Sequence, residues 1–330
     1  MVKVAISGLS RIGRIVLRIA AENPHLEILA VNETTDDEHL VYRLKNDALY
    51  GSETRDIRVD GDYLYFGDQR IRRFGETETG DLPWNRLEID IVFECNGQSH
   101  HRDEMAGHIE AGARCVIACS PETESEVVYR LGSLVIDGDN RLPYPTERCS
   151  TQCIAPVAEV LGRRIGVSKA VTTTVQSYIS TRGMVDIGDA PFDNEQNGVL
   201  DLFAGGSPTS AAIARILPHY VGRIDGMDIR VPMVSGAISD MTFVTERPTT
   251  VREVNDILRE EAQTSRYAGI LSVSEHPVVS ADVIRDPHAS LVDLSRTRVV
   301  DGDLVKVLSW VDNEWGYASQ MVKQATRLLQ

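Results

Sequence analysis

Residues Val2-Lys3-Val4-Ala5-Ile6-Ser7-Gly8-Leu9-Ser10-Arg11-Ile12-Gly13-Arg14 decide how this chain folds. A short apolar run leads into Gly8, and beyond Gly13 the apolar positions Ile15, Val16, Ile19 and Ala20 recur at helical spacing. Strand, glycine turn and helix in that order are the context of a dinucleotide fingerprint. Its first glycine permits a tight turn, its last lets helix and strand approach, and a pyrophosphate meets the free N–H groups of the helix start. The middle glycine of G-x-G-x-x-G is Ser10 here. Taken alone, the imperfect motif suits a plain strand-to-helix turn as well as a cofactor loop.

Working outward, the next apolar run, residues 26–31, ends in Asn32-Glu33. An acid at about 20 residues beyond the glycines is placed to bind the adenosine ribose. Asp36, Asp37 and Glu38 follow, so a 2′-phosphate would meet several negative charges and NAD is expected over NADP. Residues 63–74 alternate in polarity and carry the turn signals Gly61-Asp62 and Gly67-Asp68, which predicts a small hairpin insert. A buried strand over 89–95, a helix over 102–111 and a strand over 114–119 lead to Ser120-Pro121. Repeated strand–helix units predict an α/β Rossmann domain, a doubly wound parallel sheet over residues 1–148 with ligand loops at the strand ends. His100, His101 and His108 read as surface residues of the helix over 102–111 and its approach.

The second half opens on Arg148-Cys149-Ser150-Thr151-Gln152-Cys153-Ile154-Ala155-Pro156, and a helix pattern continues through Val157, Val160 and Leu161. Ser150 or Thr151 is the expected cap. A thiol at a helix N-terminus meets the positive end of the dipole, and Arg148 adds a full charge, so Cys149 is the candidate nucleophile. By itself this stretch suits a buried structural cysteine better. Residues 170–178, 236–246 and Leu304–Val311 are rich in β-branched residues, and helix patterns cover 210–217 and 250–262. These predict an α+β catalytic domain with a mixed or antiparallel sheet over 149–312. The connection over 179–206 has little periodicity, and loops of that length are usually functional or interfacial. The final segment, 313–330, is expected to return to the first domain as a helix over 316–329.

Composition sets the outer bounds. The chain has 330 residues, 42% of them hydrophobic and 25% charged, with no apolar run of bilayer length and no signal-peptide core after Met1. A formal charge of −15 argues against nucleic acid or an anionic membrane as the main partner. Cys95, Cys115, Cys119, Cys149 and Cys153 form no disulfide framework, which points to reduced thiols in a cytoplasm. No second pair completes a zinc site with Cys149 and Cys153, so no metal is expected. No internal repeat or low-complexity segment is present.

With these pieces in place, the sequence resembles the glyceraldehyde-3-phosphate dehydrogenase family over nearly its whole length. The motifs are Arg11-Ile12-Gly13-Arg14, Asn32, Cys149 through Cys153-Ile154-Ala155-Pro156, Arg230-Val231-Pro232 and Asp312-Asn313-Glu314-Trp315-Gly316-Tyr317. Asn32-Glu33, Leu82-Pro83-Trp84, Asp286-Pro287-His288 and Ile154 resemble the erythrose-4-phosphate dehydrogenase branch more closely. The resemblance implies oxidation of a phosphorylated aldehyde. Cys149 would add to the carbonyl, the thiohemiacetal would pass hydride to NAD, and the thioester would go to phosphate or water. It implies cofactor contacts at Gly8, Arg11, Ile12, Gly13, Asn32, Glu33, Ser120, Asn313 and Tyr317. Arg230 would hold the substrate phosphate, with Arg148, Ser150 and Thr209 at the substrate, and the family's homotetramer would bring residues 179–206 near a neighbouring subunit's cofactor.

The chain departs from the family where chemistry is concentrated. The stretch that carries the family's catalytic histidine reads Thr174-Val175-Gln176-Ser177-Tyr178, and glutamine can donate to an oxyanion but exchanges no proton near neutral pH. Ile179 and Thr181 replace a threonine and an aspartate of the phosphate seat. Asp193-Asn194-Glu195-Gln196 occupies the loop of the phosphate-binding arginines, Arg148 replaces a serine, and Gln152 replaces an asparagine. Arg148 and Arg182 are candidates for a different anion site. Without a histidine, the Cys149 pKa is expected above that of a cysteine–histidine pair. Two functions remain in view: an NAD-dependent aldehyde dehydrogenase with altered or weakened catalysis, and a catalytically silent NAD-binding homologue with a regulatory or scaffolding role.

Overall fold

The computed structural model describes residues 1–96, 102–119, 128–129, 149–177, 203–206 and 209–328. The chain divides into two compact units, residues 1–147 with 318–330, and residues 148–317.

The first unit is built on β1 (Val2–Ser7), β2 (Leu26–Asn32), β3 (Ile57–Asp60), β4 (Tyr63–Phe66), β5 (Gln69–Phe74), β6 (Ile91–Glu94), β7 (Cys115–Ala118) and β8 (Val128–Tyr129). They form one sheet in the order β3-β4-β5-β2-β1-β6-β7-β8. The run β5-β2-β1-β6-β7 is parallel throughout, as expected when strands alternate with helices. Helix α1 (Arg11–Ala21) packs on β1 and β2, and Ile15, Val16, Leu17 and Ala20 on it are buried. It is followed by α2 (Asp37–Lys45), α3 (Trp84–Leu87) and α4 (Arg102–Glu110).

Two expectations are corrected here. The segment over 63–74 does form a hairpin, but it is no insert: β5 pairs in parallel with β2, and the hairpin extends the main sheet. Leu64, Phe66 and Ile71 of the hairpin are buried, and hiding such apolar side chains favours its place in the sheet. His108 is fully buried rather than solvated. Its Nδ1 accepts from Trp84 Nε1 at 3.0 Å, so Nε2 carries the proton and donates to Glu94 Oε2 at 2.7 Å. Met105 and His108 share the inner face of α4, three residues apart, and a satisfied histidine there costs far less than an unpaired one.

The second unit begins with α5 (Cys149–Arg164), every residue of which from Ser150 to Leu161 is buried. Burial on all sides marks a central helix, and packing of Val157, Val160 and Leu161, about 2 kcal/mol each, offsets the interior Pro156. The helix lies against α6 (Thr209–Ile216) and α7 (Val251–Ala262). Beside these helices runs a mixed sheet of β9 (Val167–Ser177), β10 (Phe203–Gly206), β11 (Ile224–Val231), β12 (Ala237–Thr245), β13 (Leu271–Ser274), β14 (Ser290–Asp293), β15 (Arg298–Val300) and β16 (Leu304–Val311). Its order is β10-β11-β9-β12-β16-β14-β13, with β15 on β16. Burial alternates along β12, so one face meets α5 while the other carries such exposed residues as Val171 and Met227 on neighbouring strands. Helix α8 (Trp315–Leu328) ends the described chain. Among the described residues, no helix is long and apolar enough to cross a membrane.

Candidate active site

In the first unit, the glycine turn is shaped by close approach. Gly8 has φ +85°, and a Cβ there would lie 2.3 Å from the Cα of Asn96. A Cβ on Gly13 would lie 2.1 Å from the carbonyl oxygen of Gly8. Only glycine fits at either position, and the resulting open cradle at the start of α1 suits a pyrophosphate. Ser10 precedes the helix in an extended conformation, φ −60°, which any residue adopts. The departure from the three-glycine pattern therefore introduces no strain. Asn96, held by Glu94 Oε1 at 2.9 Å, is part of this turn and was not signalled by the motif.

Glu33 follows β2 and braces the same turn. Its Oε2 accepts from the Leu9 amide at 2.7 Å, and Oε1 accepts from the Thr35 amide at 3.0 Å and hydroxyl at 2.7 Å. Burial pushes this carboxyl up, but the Thr35 and Leu9 donors outweigh it and hold it below the ordinary range. The group is thus a fixed anion where the adenosine ribose is expected. The Asn32 side chain instead pins the backbone of Glu76 through two hydrogen bonds, at 3.0 and 2.9 Å. Arg11 pairs with Asp47 at 2.6 Å, and Ile12 is half-buried in the first turn of α1. Ser120 lies outside the described residues. We expect calorimetric titration to give tighter binding of NAD than of NADP. Glu33→Gln, which keeps an acceptor for Leu9, should narrow that difference, and equal or tighter NADP binding would refute the assignment of Glu33 to the ribose.

In the second unit, Cys149 is itself the first residue of α5, so Ser150 and Thr151 are not caps but lie within the first turn. Ser150 Oγ is hydrogen-bonded to Thr209 Oγ1 at 2.8 Å, and both residues are 1% exposed. Their pairing fastens the start of α5 to the start of α6. Cys149 is half-buried, and its thiol points at Gln176 Oε1, 3.8 Å away. Gln176 Nε2 donates to Asp228 Oδ2 at 3.2 Å. On the parallel pair β9–β11, Gln176 is level with Arg230 and Thr174 with Asp228. Arg230 Nη1 donates to the Ser177 carbonyl at 3.2 Å, which fixes the guanidinium beside Gln176. Arg148 lies outside the described residues.

The electrostatics of this cluster favour the thiol. Burial pushes Cys149 up to about 11; Arg230 and the Ser150 amide pull it down, while Asp228 and Cys153 push it further up. The helix start therefore does not make the thiolate dominant at neutral pH. One turn on, Cys153 is fully buried and also raised by burial, with Ser309, Ser239 and Ser290 donating to its sulfur in opposition. It is packed as a structural residue. Asp228 is the neighbour of this cluster that the sequence reading missed. It stands two positions before Arg230 in a strand, so strand alternation alone places both on one face.

Asn313 is also preset. Its Oδ1 accepts from the Gly236 amide at 2.9 Å and the Ser235 hydroxyl at 3.3 Å, so its amide nitrogen is turned the other way, available to a ligand carbonyl. Asp312 organises the preceding turn by accepting from Glu314 N, Trp315 N and Arg285 N. Tyr317 is buried in the first turn of α8. Among the described residues, no group of His, Cys, Asp and Glu side chains could hold a metal ion.

A parallel sheet with a glycine turn between β1 and α1 and a carboxylate after β2, joined in sequence to a unit presenting a cysteine at a helix start, defines a two-domain protein of the dinucleotide-binding kind. The family model described as glyceraldehyde 3-phosphate dehydrogenase, NAD binding domain, matches residues 2–102, and that of the C-terminal domain matches residues 148–313. The chain is 31% identical to the glyceraldehyde-3-phosphate dehydrogenase of Zymomonas mobilis, the match covering 99% of this chain and 98% of the relative. It is 34% identical to that of Geobacillus stearothermophilus, over 98% and 97% of the two chains. The chain belongs to the glyceraldehyde-3-phosphate dehydrogenase family, and its first domain is that family's NAD-binding domain.

Proposed function

We propose that the chain is an NAD-dependent dehydrogenase of a phosphorylated or otherwise anionic aldehyde, working through Cys149 and resembling the erythrose-4-phosphate branch of the family. The observation that carries this reading is the Cys149 thiol at the start of α5, facing Gln176 with Arg230 at the same level of the sheet. In the first unit, the turn of Gly8 and Gly13 suits the cofactor's pyrophosphate and Glu33 its ribose; in the second, the Asn313 amide nitrogen is turned out as a donor, the part the family resemblance gives it toward a carboxamide. Bound NAD supplies the hydride acceptor.

The chain's own residues account for the rest. The small thiolate fraction of Cys149 adds to the carbonyl carbon and the resulting alkoxide takes a proton from water, so the resting thiol forms the thiohemiacetal with no net proton release. Gln176 Oε1, facing the sulfur, is positioned to accept from that new hydroxyl. Arg230 fixes the substrate's anionic group by a charge-assisted hydrogen bond. When the hydride leaves carbon, the hydroxyl proton passes to water, because an amide cannot keep it. Asp193 and Glu195, outside the described residues, stand in the sequence where the family resemblance implies anion-binding arginines, and such charges would oppose a second anion, so water is the proposed acyl acceptor and a carboxylic acid the product. The exposed Val171 and Met227 on β9 and β11 are consistent with the family's homotetramer, and the free thiols with a cytoplasmic setting.

A turnover assay over a panel of phosphorylated aldehydes with NAD tests this. Cys149→Ser should remove all turnover and leave NAD binding intact, and inorganic phosphate should not stimulate the reaction. Strong, saturable stimulation with an acyl phosphate formed in stoichiometric yield would refute the assignment of water. The second reading, a silent NAD-binding homologue, is favoured by the one fact that the residue facing Cys149 cannot exchange a proton. NAD binding without turnover on any aldehyde would establish it.

A further inference from the structure

We propose that Asp228 is a positioning residue that locks the Gln176 amide with its carbonyl oxygen toward Cys149, so that the site presents its nucleophile as a neutral thiol. The inference deepens the reading of Cys149 as the nucleophile and rests on it for its consequences in turnover.

The lock follows from what each group can donate. Gln176 turns its NH2 group to Asp228 Oδ2, 3.2 Å away, where the carboxylate oxygen accepts. The planar amide then has its oxygen turned away from Asp228, toward Cys149 Sγ at 3.8 Å. The reverse orientation would set the amide oxygen against the carboxylate. A hydrogen bond to a carboxylate is much stronger than a long S–H···O contact, so Asp228 and not Cys149 decides how the amide lies. An acceptor facing sulfur favours S–H and disfavours S⁻.

Both members of the lock are largely shielded from water, Gln176 at 4% and Asp228 at 6% exposed. Their strands are neighbours in fixed parallel register, so the pair cannot drift apart without breaking the sheet. The charged and titratable groups facing Cys149 among the described residues are Arg230 and Asp228 on β11 and Cys153 on α5; Gln176 on β9 is the polar neighbour. Arg230 alone of these favours the thiolate, and Asp228 opposes it both through space and through the amide. The consequence is a cysteine protected from oxidants and alkylating agents at neutral pH, which adds to an aldehyde through its small thiolate fraction.

The test is the pH dependence of iodoacetamide labelling at Cys149, read by peptide mass spectrometry on the intact chain. Asp228→Asn removes the charge at constant shape and lets the amide turn; labelling at pH 7.5 should rise about tenfold, the effect of one pKa unit. Asp228→Ser gives the same readout should the first variant fold poorly. In a Gln176→Leu background, the Asp228→Asn effect should shrink to less than half on the logarithmic scale, since part of it acts through the amide. An unchanged or slower labelling profile in Asp228→Asn and Asp228→Ser overturns the proposal. So does an undiminished effect in the Gln176→Leu background, which would mean that charge alone acts. Turnover is measured separately, so a silent protein with the expected labelling shifts refutes the dehydrogenase reading and leaves the lock standing.

Discussion

Gln176→His should raise turnover at pH 7 by about 10²–10⁴, the range a positioned general base supplies. Gln176 lies with one end 3.2 Å from Asp228 Oδ2 and the other 3.8 Å from Cys149 Sγ. An imidazole in that position has its two nitrogens at nearly the spacing of the amide oxygen and nitrogen. One N–H would donate to Asp228 and the other nitrogen would face the thiol, completing a Cys–His–Asp arrangement from residues of which two are already present. The proton that Gln176 cannot hold would pass from sulfur to imidazole, and Asp228 would stabilise the imidazolium. Cys149, pushed up to about 11 by burial in the present chain, should then fall below the free-thiol value of about 8.5. The activity profile should also acquire a limb near the histidine value of about 6.5. Turnover and labelling profiles both unchanged in a folded Gln176→His chain would show that the Asp228–Gln176–Cys149 geometry is not the catalytic one.

The reactivity of Cys149 in the unaltered chain should climb by about tenfold for each pH unit between pH 7 and 10. With the thiol pushed up to about 11 by burial, against the pull of Arg230, only about one part in a thousand is thiolate at pH 8. Iodoacetamide labelling of Cys149 should therefore span about three orders of magnitude over that range, and dehydrogenase activity should rise into alkali without a plateau near neutrality. The sign for stability runs the other way. The unfolded chain ionises this thiol near pH 8.5 and the folded chain only near 11, so the folded state loses stability as pH rises between the two values. Labelling should be read by short pulses at the alkaline end for that reason. Rapid labelling that does not change between pH 6 and 8 would mean that another group holds the thiolate, and would refute this description of the site.

What was legible in the sequence was local. Val2 to Ser7 running into Gly8, and Gly13 opening α1, could be read because strand, turn and helix are short-range patterns with their own periods. The same holds for the helix begun at Cys149, for β16 over Leu304–Val311 and for the carboxylate of Glu33. Membership of the family was legible for the same reason, since its motifs are short and ordered along the chain.

What the tertiary structure decided was which of these pieces face one another. The hairpin of β4 and β5 joined the parallel sheet through the pairing of β5 with β2, and Leu64, Phe66 and Ile71 are buried there. His108 became an interior residue because Trp84 and Glu94, both distant in sequence, satisfied its two nitrogens. Ser10 replaced a glycine without cost because the backbone there has negative φ, which the motif does not state. Gln176 and Asp228, 52 residues apart along the chain, were brought into hydrogen-bond contact beside Cys149 by the pairing of β9 and β11. Hydrogen-bond orientation and desolvation depend on neighbours brought by long-range pairing and on burial. Periodicity along one segment records neither, so the sequence by itself determined the locally patterned elements, the candidate cysteine and the family, and only the packed sheet decided which groups face that cysteine.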